Sequence, residues 1–251
     1  MLLPLTPALG VLMAALLVGA AGVAAFAHLV RDDDRTYARP MLTAGLRALV
    51  QLAAVALLID WIVGTPASLF GFVILMFAVA TVTAGRRITR NGTWPWATAP
   101  IAAGVAPVLL ALLLTGLVPP RGIALVPVAG ILIGGALTAT TLAGRRALEE
   151  LTTRHGEVEA ALALGLTDRE ARLEIARRAA SGALVPGLDQ TRTVGLVTLP
   201  GAFVGMLLGG ASPVQAGAVQ LFVLVALMSV QSVAVATVLE LIARGRLHRT
   251  G

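Results

Sequence analysis

The chain has 251 residues, of which 57% are hydrophobic, and its mean hydropathy of +0.90 places it among membrane proteins. It contains no cysteine and no lysine, which excludes disulfides, thiolate metal sites and a Walker-type phosphate loop with its essential lysine. The formal net charge of +6 comes from 19 arginines against 13 carboxylates, and in a membrane protein such an excess indicates topology before it indicates nucleic-acid binding.

Seven apolar segments are candidates for membrane spans. A helix needs about 20 apolar residues to cross roughly 30 Å of hydrocarbon. We predict spans over residues 7–29, 41–62, 65–84, 97–118, 124–144 and 214–243, with a short sixth span over residues 193–208. The first run is longer than a signal-peptide core and no basic residue precedes it, so we expect it to be retained. The sequence therefore indicates one all-α polytopic domain over residues 1–251, with about seven transmembrane helices.

One long polar segment, residues 145–192, lies between the fifth and sixth spans, and we call it the arm. Because residues 145–164 contain no proline, we expect the fifth span to continue into the arm as one long helix. Gly165 is placed to end that helix, since glycine accepts the left-handed conformation without a side-chain clash. Thr167 and Glu170 have the spacing of a capping box, which predicts that a second helix starts there.

The placement of arginine predicts the orientation in the membrane. Of the 19 arginines, seventeen fall in the first, third and fifth loops and the C-terminal tail, whereas Arg121 alone falls on the opposite side. The positive-inside rule then predicts an outside N-terminus and a cytoplasmic arm and C-terminus, in a multi-pass protein of the cytoplasmic membrane. The lipid bilayer is thus the partner that the charge indicates. No nucleic-acid partner is expected, because the arginines of the arm share it with eight carboxylates.

The arm contains Glu159-Ala160-Ala161, then Gly165 and, after nine further residues, Ile175. This pattern resembles the cytoplasmic Glu-Ala-Ala loop of bacterial ABC-transporter permeases, although Arg177-Arg178 replaces the Leu-Pro that usually closes it. The resemblance implies that the arm docks on a separate ATP-binding subunit. The coupling residues that it implies are Glu159, Ala160, Ala161, Gly165, Thr167, Glu170 and Ile175. An ordinary solvated helical hairpin is the alternative interpretation.

The most specific stretch, residues 186–201, reads Pro-Gly-Leu-Asp-Gln-Thr-Arg-Thr-Val-Gly-Leu-Val-Thr-Leu-Pro-Gly. Together with residues 47–52 in the second span and 127–130 in the fifth, it resembles the FetB-like family of ABC permeases. That family is associated with iron export in bacteria and contains plant relatives linked to aluminium tolerance. The resemblance implies a permease without a cofactor of its own, working as a homodimer with two copies of an ATP-binding subunit that holds ATP and Mg²⁺. Ala84 and Gly135 stand where polar asparagines are expected in the bacterial exporter, which leaves the substrate open.

Polar or irregular positions inside the spans are candidates for the substrate path. Arg47 and Gln51, four residues apart, share a helix face, and an ionisable residue inside a span is by default a functional candidate. Arg47 lies roughly 9 Å from the end of its helix, however, so snorkelling to the headgroups also explains it. The break at Pro200-Gly201 frees backbone carbonyls, and a simple packing kink is the alternative. The full candidate set is Arg47, Gln51, Thr193, Thr198, Pro200, Gly201 and Met206.

These features favour the permease subunit of an ABC exporter. A secondary transporter without an ATPase partner is the alternative, but it predicts an inverted repeat or buried coupling carboxylates, and neither is visible. No catalytic residue is expected, because Gly-x-Ser-x-Gly and His-Glu-x-x-His motifs are absent. The resemblance implies that the cargo is iron or another metal. Since the spans offer no cysteine, histidine or mid-span carboxylate to a bare cation, we expect a neutral or anionic metal chelate, or a metal-free organic anion.

Overall fold

The computed structural model describes residues 6–29, 36–116 and 122–249. These residues form ten α-helices and two short 3₁₀ turns, with no β-strand among them. The helices are α1 (Pro7–Phe26), α2 (Ala38–Gly64), α3 (Pro66–Ile88), α4 (Thr98–Leu114), α5 (Gly122–Thr153), α6 (His155–Ala163), α7 (Asp168–Ser181), α8 (Val185–Thr193), α9 (Gly201–Leu208) and α10 (Pro213–Ala243). The predicted all-α polytopic class is confirmed.

Six of the described helices are long and apolar enough to cross a membrane. They are α1 to α5 and α10, which correspond to six of the seven predicted spans. The start of the third span is as predicted, because the Thr65 hydroxyl accepts a hydrogen bond from the Ser68 amide at 3.2 Å and Pro66 is the first helical residue. Local capping chemistry therefore sets where this helix begins.

The predicted sixth span is not one continuous helix. α8 ends before a non-helical segment, residues 194–200, and α9 has only eight residues, or about 12 Å of helix. Gly195 has a positive φ of 83°, and Pro200 lacks the amide hydrogen that a helix interior requires. A broken segment, residues 194–212, therefore takes the place of the short span, and we call it the broken crossing.

The fifth helix also ends earlier than predicted. α5 and α6 are separate helices that meet at Arg154, so the expected single helix to Leu164 is wrong. The Arg154 guanidinium donates to Glu157 Oε1 at 2.6 Å and to Glu150 Oε1 at 3.1 Å, one partner on each side of the break. These hydrogen bonds stabilise a break in a stretch that also contains Gly156, a weak helix former.

The chain divides into two compact units, Met1–Ile62 and Val63–Gly251. In the first unit, α1 packs against α2 where Gly45 leaves room for Leu17, since a Cβ added at Gly45 would lie 2.5 Å from Leu17 Cδ2. In the second unit, α5 and α10 form the centre, and α3, α4 and α7 pack against them.

Two apolar clusters form the core of the second unit. The arm-side cluster joins α5, α7 and α10 with the end of α3 and includes Ile88, Ala139, Ala143, Leu148, Ala176 and Ile242. The far-side cluster joins α3, α4, α5 and α10 and includes Ala80, Ala84, Ile101, Leu132, Ala136 and Val230. Each cluster is built from small and aliphatic side chains on facing helices, so the helices approach closely at both levels.

α10 ends on the same side of the second unit as the arm. Arg169 in the arm donates to Glu240 near the end of α10 at 2.7 Å, and Asn91 in the turn after α3 donates to the His248 carbonyl oxygen at 2.8 Å. Because α10 is 31 residues long, or about 46 Å, it must begin on the opposite side. The broken crossing therefore joins the two sides of the second unit. The described residues contain six of the seven predicted spans as long apolar helices, and the seventh stays a prediction.

Candidate functional site

The turn between α6 and α7 has the predicted geometry. Gly165 has a φ of +94° and no atom lies within 4 Å of the position where a Cβ would stand. The Thr167 hydroxyl accepts from the Glu170 amide at 3.3 Å, while the Glu170 carboxylate accepts from the Thr167 amide at 2.9 Å. The same backbone and hydroxyl hydrogen bonds from Thr167 lower the pKa of the Glu170 carboxyl. The glycine stop and the capping box thus fix the turn at both of its ends.

A small apolar core holds α6 against α7. Ile175 is only 8% exposed and packs with Val158 and Ala171, and Leu166 adds to the contact. Ala161 is half-buried against the same core. Ile175 and Ala161, two of the seven predicted coupling residues, therefore hold α6 against α7. Neither side chain is placed to contact another protein directly.

The opposite face of α6 is exposed. Glu159 and Ala160 are exposed on it, and Glu159 lies 3.4 Å from the His155 ring. At the end of α6, Leu162 is 38% and Leu164 is 83% exposed. These two leucines give the end of α6 a small exposed apolar edge. The sequence pattern did not single out Leu164, although its place beside the turning glycine was visible there.

An ion-pair cluster ties the arm to the end of α10. Arg169 donates from Nε and Nη2 to the two carboxylate oxygens of Glu240, at 2.7 and 2.8 Å, and Arg244 donates to Glu240 at 2.5 Å. The hydrogen bonds to Glu240 raise the pKa of the Arg169 guanidinium. A bidentate pair fixes orientation as well as distance. The pair therefore fixes the start of α7 against the end of α10.

The C-terminal tail binds back onto the turn after α3. Its His248 carbonyl oxygen accepts from Thr89 at 2.9 Å and from Asn91 at 2.8 Å, while Arg249 donates to the Ile88 carbonyl oxygen at 3.1 Å. Leu247 is completely buried. The tail, the arm and the end of α3 thus form one connected assembly. Nothing in the sequence pattern predicted this contact, because its partners are more than 150 residues apart.

The predicted path residues fall into two groups. In the first unit, Arg47 and Gln51 are exposed on α2, one turn apart. Where α8 meets the broken crossing, Thr193 and Thr198 come together, because the Thr193 carbonyl oxygen accepts from the Thr198 amide at 3.3 Å and a β-bridge joins Val194 to Thr198. The remaining predicted residues belong to α9: Pro200 precedes its first turn, Gly201 begins it and Met206 is half-buried on it.

Polar ligands for a metal are sparse in this arrangement. Within residues 6–29, 36–116 and 122–249, no group of three or more histidine or carboxylate side chains is placed to hold a metal ion. The broken crossing offers the hydroxyl group of Thr198 and the carbonyl groups of its turn, whereas the Thr193 hydroxyl at the end of α8 donates to the Asp189 carbonyl oxygen at 2.9 Å. These neutral groups form hydrogen bonds to a solute but supply no charge to offset a divalent cation.

The sequence comparisons agree with this membrane fold. The pattern of the uncharacterised protein family UPF0014 matches residues 9–246. Protein ALUMINUM SENSITIVE 3 of Arabidopsis thaliana is 35% identical over 189 residues, which are 73% of this chain and 68% of the relative. UPF0014 membrane protein STAR2 of Oryza sativa subsp. japonica is 34% identical over 196 residues, which are 77% of this chain and 69% of the relative. The probable iron export permease protein FetB of Escherichia coli is 31% identical over 132 residues, 53% of this chain and 51% of the relative.

No solved structure matches the chain at a significant level. The family match nevertheless runs from α1 to the C-terminal tail. The two plant proteins share about a third of the aligned residues over more than two thirds of both partners' length. The chain therefore belongs to the uncharacterised protein family UPF0014 and is a multi-pass membrane protein.

Proposed function

We propose that the chain is the membrane-spanning permease subunit of an ABC exporter, driven by ATP and Mg²⁺ bound in a separate ATPase subunit. The observation that supports this role most directly is the shape of the arm. A rigid helical pair, closed by its own core, presents the exposed Leu164 and the exposed Glu159-Ala160 edge away from the bundle. A relative named as a probable iron export permease supports the same role.

Docking on the ATPase can be tested at Leu164. If a partner groove buries this side chain, Leu164→Ser should weaken binding of the ATPase by about tenfold or more, since burial of a leucine is worth roughly 1.5–3 kcal/mol. Leu196→Ser is the matched control, because Leu196 is also highly exposed, at 92%, but lies in the broken crossing. Equal binding by the Leu164→Ser variant, measured with detergent-solubilised protein and the purified ATPase, would remove the arm from the docking surface.

The working assembly that we propose contains two copies of this chain and two of the ATPase. One arm seats on one ATPase subunit, and a pair of ATP sites closing together needs two arms. Gly134 and Gly205 have open space around them and are available to a neighbouring helix, whereas Ala136 is buried in the chain's own far-side cluster. Light scattering of the purified complex should give the mass of a two-plus-two assembly. A fully active one-to-one complex would contradict it.

The orientation follows from the side on which the basic segments meet. The arm, the turn after α3 and the C-terminal tail lie together in the second unit, and all three are rich in arginine. We propose that this side is cytoplasmic and that the N-terminus is outside, in the plasma membrane. A protease applied to right-side-out vesicles should leave the arm intact and should cut it when the vesicles are inverted.

For the cargo, we propose a neutral or anionic metal chelate, or a metal-free organic anion. The names of the relatives point to iron and to aluminium, but the described residues group no ligands for a bare cation. Arg47, exposed on α2, attracts an anion and repels a cation if it faces the path. Free Fe²⁺, chelated iron and organic anions should be compared as stimulators of the reconstituted complex, with Arg47→Ala and Gln51→Ala alongside. Strong stimulation by free Fe²⁺ that survives Arg47→Ala would show that a bare cation is carried.

A further inference from the structure

Three threonine hydroxyls are buried between the helices of the second unit without a hydrogen-bond partner among the described residues. They belong to Thr81 on α3 and to Thr140 and Thr141 on α5, which are 6%, 0% and 9% exposed. A threonine in a helix normally donates to the carbonyl oxygen four residues earlier, as Thr138 does to Gly134 at 3.0 Å. Buried polar groups without partners are rare and costly in native proteins, so these three require an explanation.

The three hydroxyls lie within one to two helical turns of one another along the bundle. A Cβ at Gly130 would lie 3.0 Å from the Met76 side chain, and one at Gly144 would lie 2.8 Å from that of Ile88. These two contacts show that α3 and α5 run side by side in the same direction. The register that they define places Thr81 about one helical turn from Thr140.

Gln231 on α10 is a further buried polar side chain. It lies at the level of Gly135, about 7.5 Å along α5 from Thr140. It is 9% exposed, and its carboxamide lies between two glycines on different helices. A Cβ at Gly135 of α5 would lie 3.5 Å from Gln231 Nε2, and a Cβ at Gly187 of α8 would overlap Gln231 Oε1. We call Thr81, Thr140, Thr141 and Gln231 the polar band. It lies where the far-side cluster, with Ala136 and Val230, gives way to the arm-side cluster.

We propose that the polar band is a substrate-binding layer of the transport route, closed in this conformation and hydrated in another. Its hydroxyl and carboxamide groups are neutral donors and acceptors. They suit a hydroxyl-rich or chelated solute held by hydrogen bonds, and they do not suit a bare multivalent cation, which wants charged oxygen ligands. This assignment rests on the proposed permease function and adds the residues that contact the cargo.

The covering of Gln231 connects the band to the arm. Gly187 lies in the first turn of α8, and α8 follows α7 after a single 3₁₀ turn, residues 182–184. A shift of α7 on the ATPase therefore moves the residue that covers the Gln231 carboxamide.

Cysteine accessibility tests the proposal directly, because the chain contains no cysteine. Thr140→Cys should be compared with Ala139→Cys. Ala139 is the adjacent residue, is 1% exposed and belongs to the arm-side cluster. The complex with its ATPase is treated with a charged methanethiosulfonate reagent, with and without vanadate-trapped nucleotide. We expect labelling of Thr140→Cys at least about tenfold faster than of the control in one of the two states, as for a residue hydrated in a minor conformer. Equal, slow labelling of both in both states would overturn the proposal.

Transport by isosteric variants separates binding from packing. Thr140→Val removes an unpaired hydroxyl without changing shape, so a packing role predicts unchanged or improved folding and unchanged transport. A binding role predicts loss of transport in a protein that still folds and still binds the ATPase, with Thr140→Ser retaining activity. If labelling of Thr140→Cys is fast but does not respond to nucleotide, the result supports the polar band as a hydrated layer and contradicts the proposed ABC permease function. If the ATPase binds normally and Thr140→Cys stays unreactive, the result supports the ABC permease function and contradicts the polar band as a substrate-binding layer.

Discussion

Replacing Gly165 tests whether the turn of the arm takes part in the proposed docking on an ATPase subunit. With a φ of +94°, Gly165 occupies a conformation that residues with a Cβ rarely adopt. Left-handed backbone costs an L-residue about 1–2 kcal/mol, and a β-branched valine stands toward the upper end of the roughly 1–3 kcal/mol range for strained sites. Because no atom lies within 4 Å of the added Cβ, the whole effect of Gly165→Val must come from the backbone.

The assay is the affinity of the solubilised protein for the proposed ATPase partner, followed by transport in vesicles. A cost of about 2 kcal/mol corresponds to roughly 30-fold weaker binding if docking needs the native turn. Gly165→Asn is the first control, since asparagine tolerates positive φ better than other residues with a side chain and should lose much less. Gly156→Ala is the second, because Gly156 also has open space around it but lies in α6 without a positive φ. Its substitution should be neutral or slightly stabilising.

Two outcomes would refute this reasoning. If Gly165→Val binds the ATPase with native affinity and transports normally, the turn has no part in coupling. If Gly156→Ala and Gly165→Val lose affinity equally, the loss does not come from backbone conformation at the turn. Membrane insertion should be unchanged in all three variants, because the turn lies outside the spanning helices.

Three further predictions concern the arm and the tail. Thr167→Ala should speed amide exchange in α7 by removing a cap worth about 1 kcal/mol. The Glu170 carboxyl has a lowered pKa, so its contribution to the stability of α7 should be complete above pH 4.5 and should be lost as the pH falls through the lower native pKa. Arg169→Glu should reduce transport, and Glu240→Arg in the same chain should restore it in a vesicle assay. Removal of residues 247–251 should lower the melting temperature through loss of the buried Leu247, worth about 2–5 kcal/mol, whereas removal of 250–251 should not.

The features that the sequence predicted well are those set by local chemistry. The long spans follow from apolar length alone. The start of α3 at Thr65 and the turn at Gly165 follow from hydrogen bonds and backbone preferences within a few residues. Pro200 and Gly201 also gave a correct sign that the sixth crossing is irregular. They could not predict that α9 would have only eight residues, because the length of a broken segment depends on what it packs against.

The features that the sequence missed depend on distant partners. The break at Arg154 lies in a composition that favours helix, and it becomes visible only when Glu150 and Glu157 are seen to share its guanidinium. The pair between Arg169 and Glu240 joins residues 71 positions apart. Glu240 by itself reads as an interfacial carboxylate at the end of a span. Charge counts predicted a common side for these segments but could not predict their pairing.

The unpaired hydroxyls could not be foreseen for a different reason. Threonine in a spanning helix satisfies itself by default through the backbone, so its presence in a sequence carries no signal. The two kinds of threonine differ only in the folded structure. Thr138 donates to Gly134, whereas Thr140 has no partner among the described residues. Seven residues of the arm and seven of the path were predicted, and none of them belongs to the polar band.

Two connections lead from the arm to α10, and together they suggest how a movement of α7 would act. Near its start, α7 holds the end of α10 through the bidentate pair of Arg169 with Glu240. Beyond its end, the chain continues into α8, whose Gly187 covers Gln231 about 13 Å along α10 from Glu240. A shift of α7 relative to α10 cannot leave both contacts unchanged, because one is a directional ion pair and the other is a close glycine contact. If the ion pair holds while the proposed ATPase partner moves the arm, the displacement must be taken up at Gly187. We then expect the Gln231 carboxamide to become exposed.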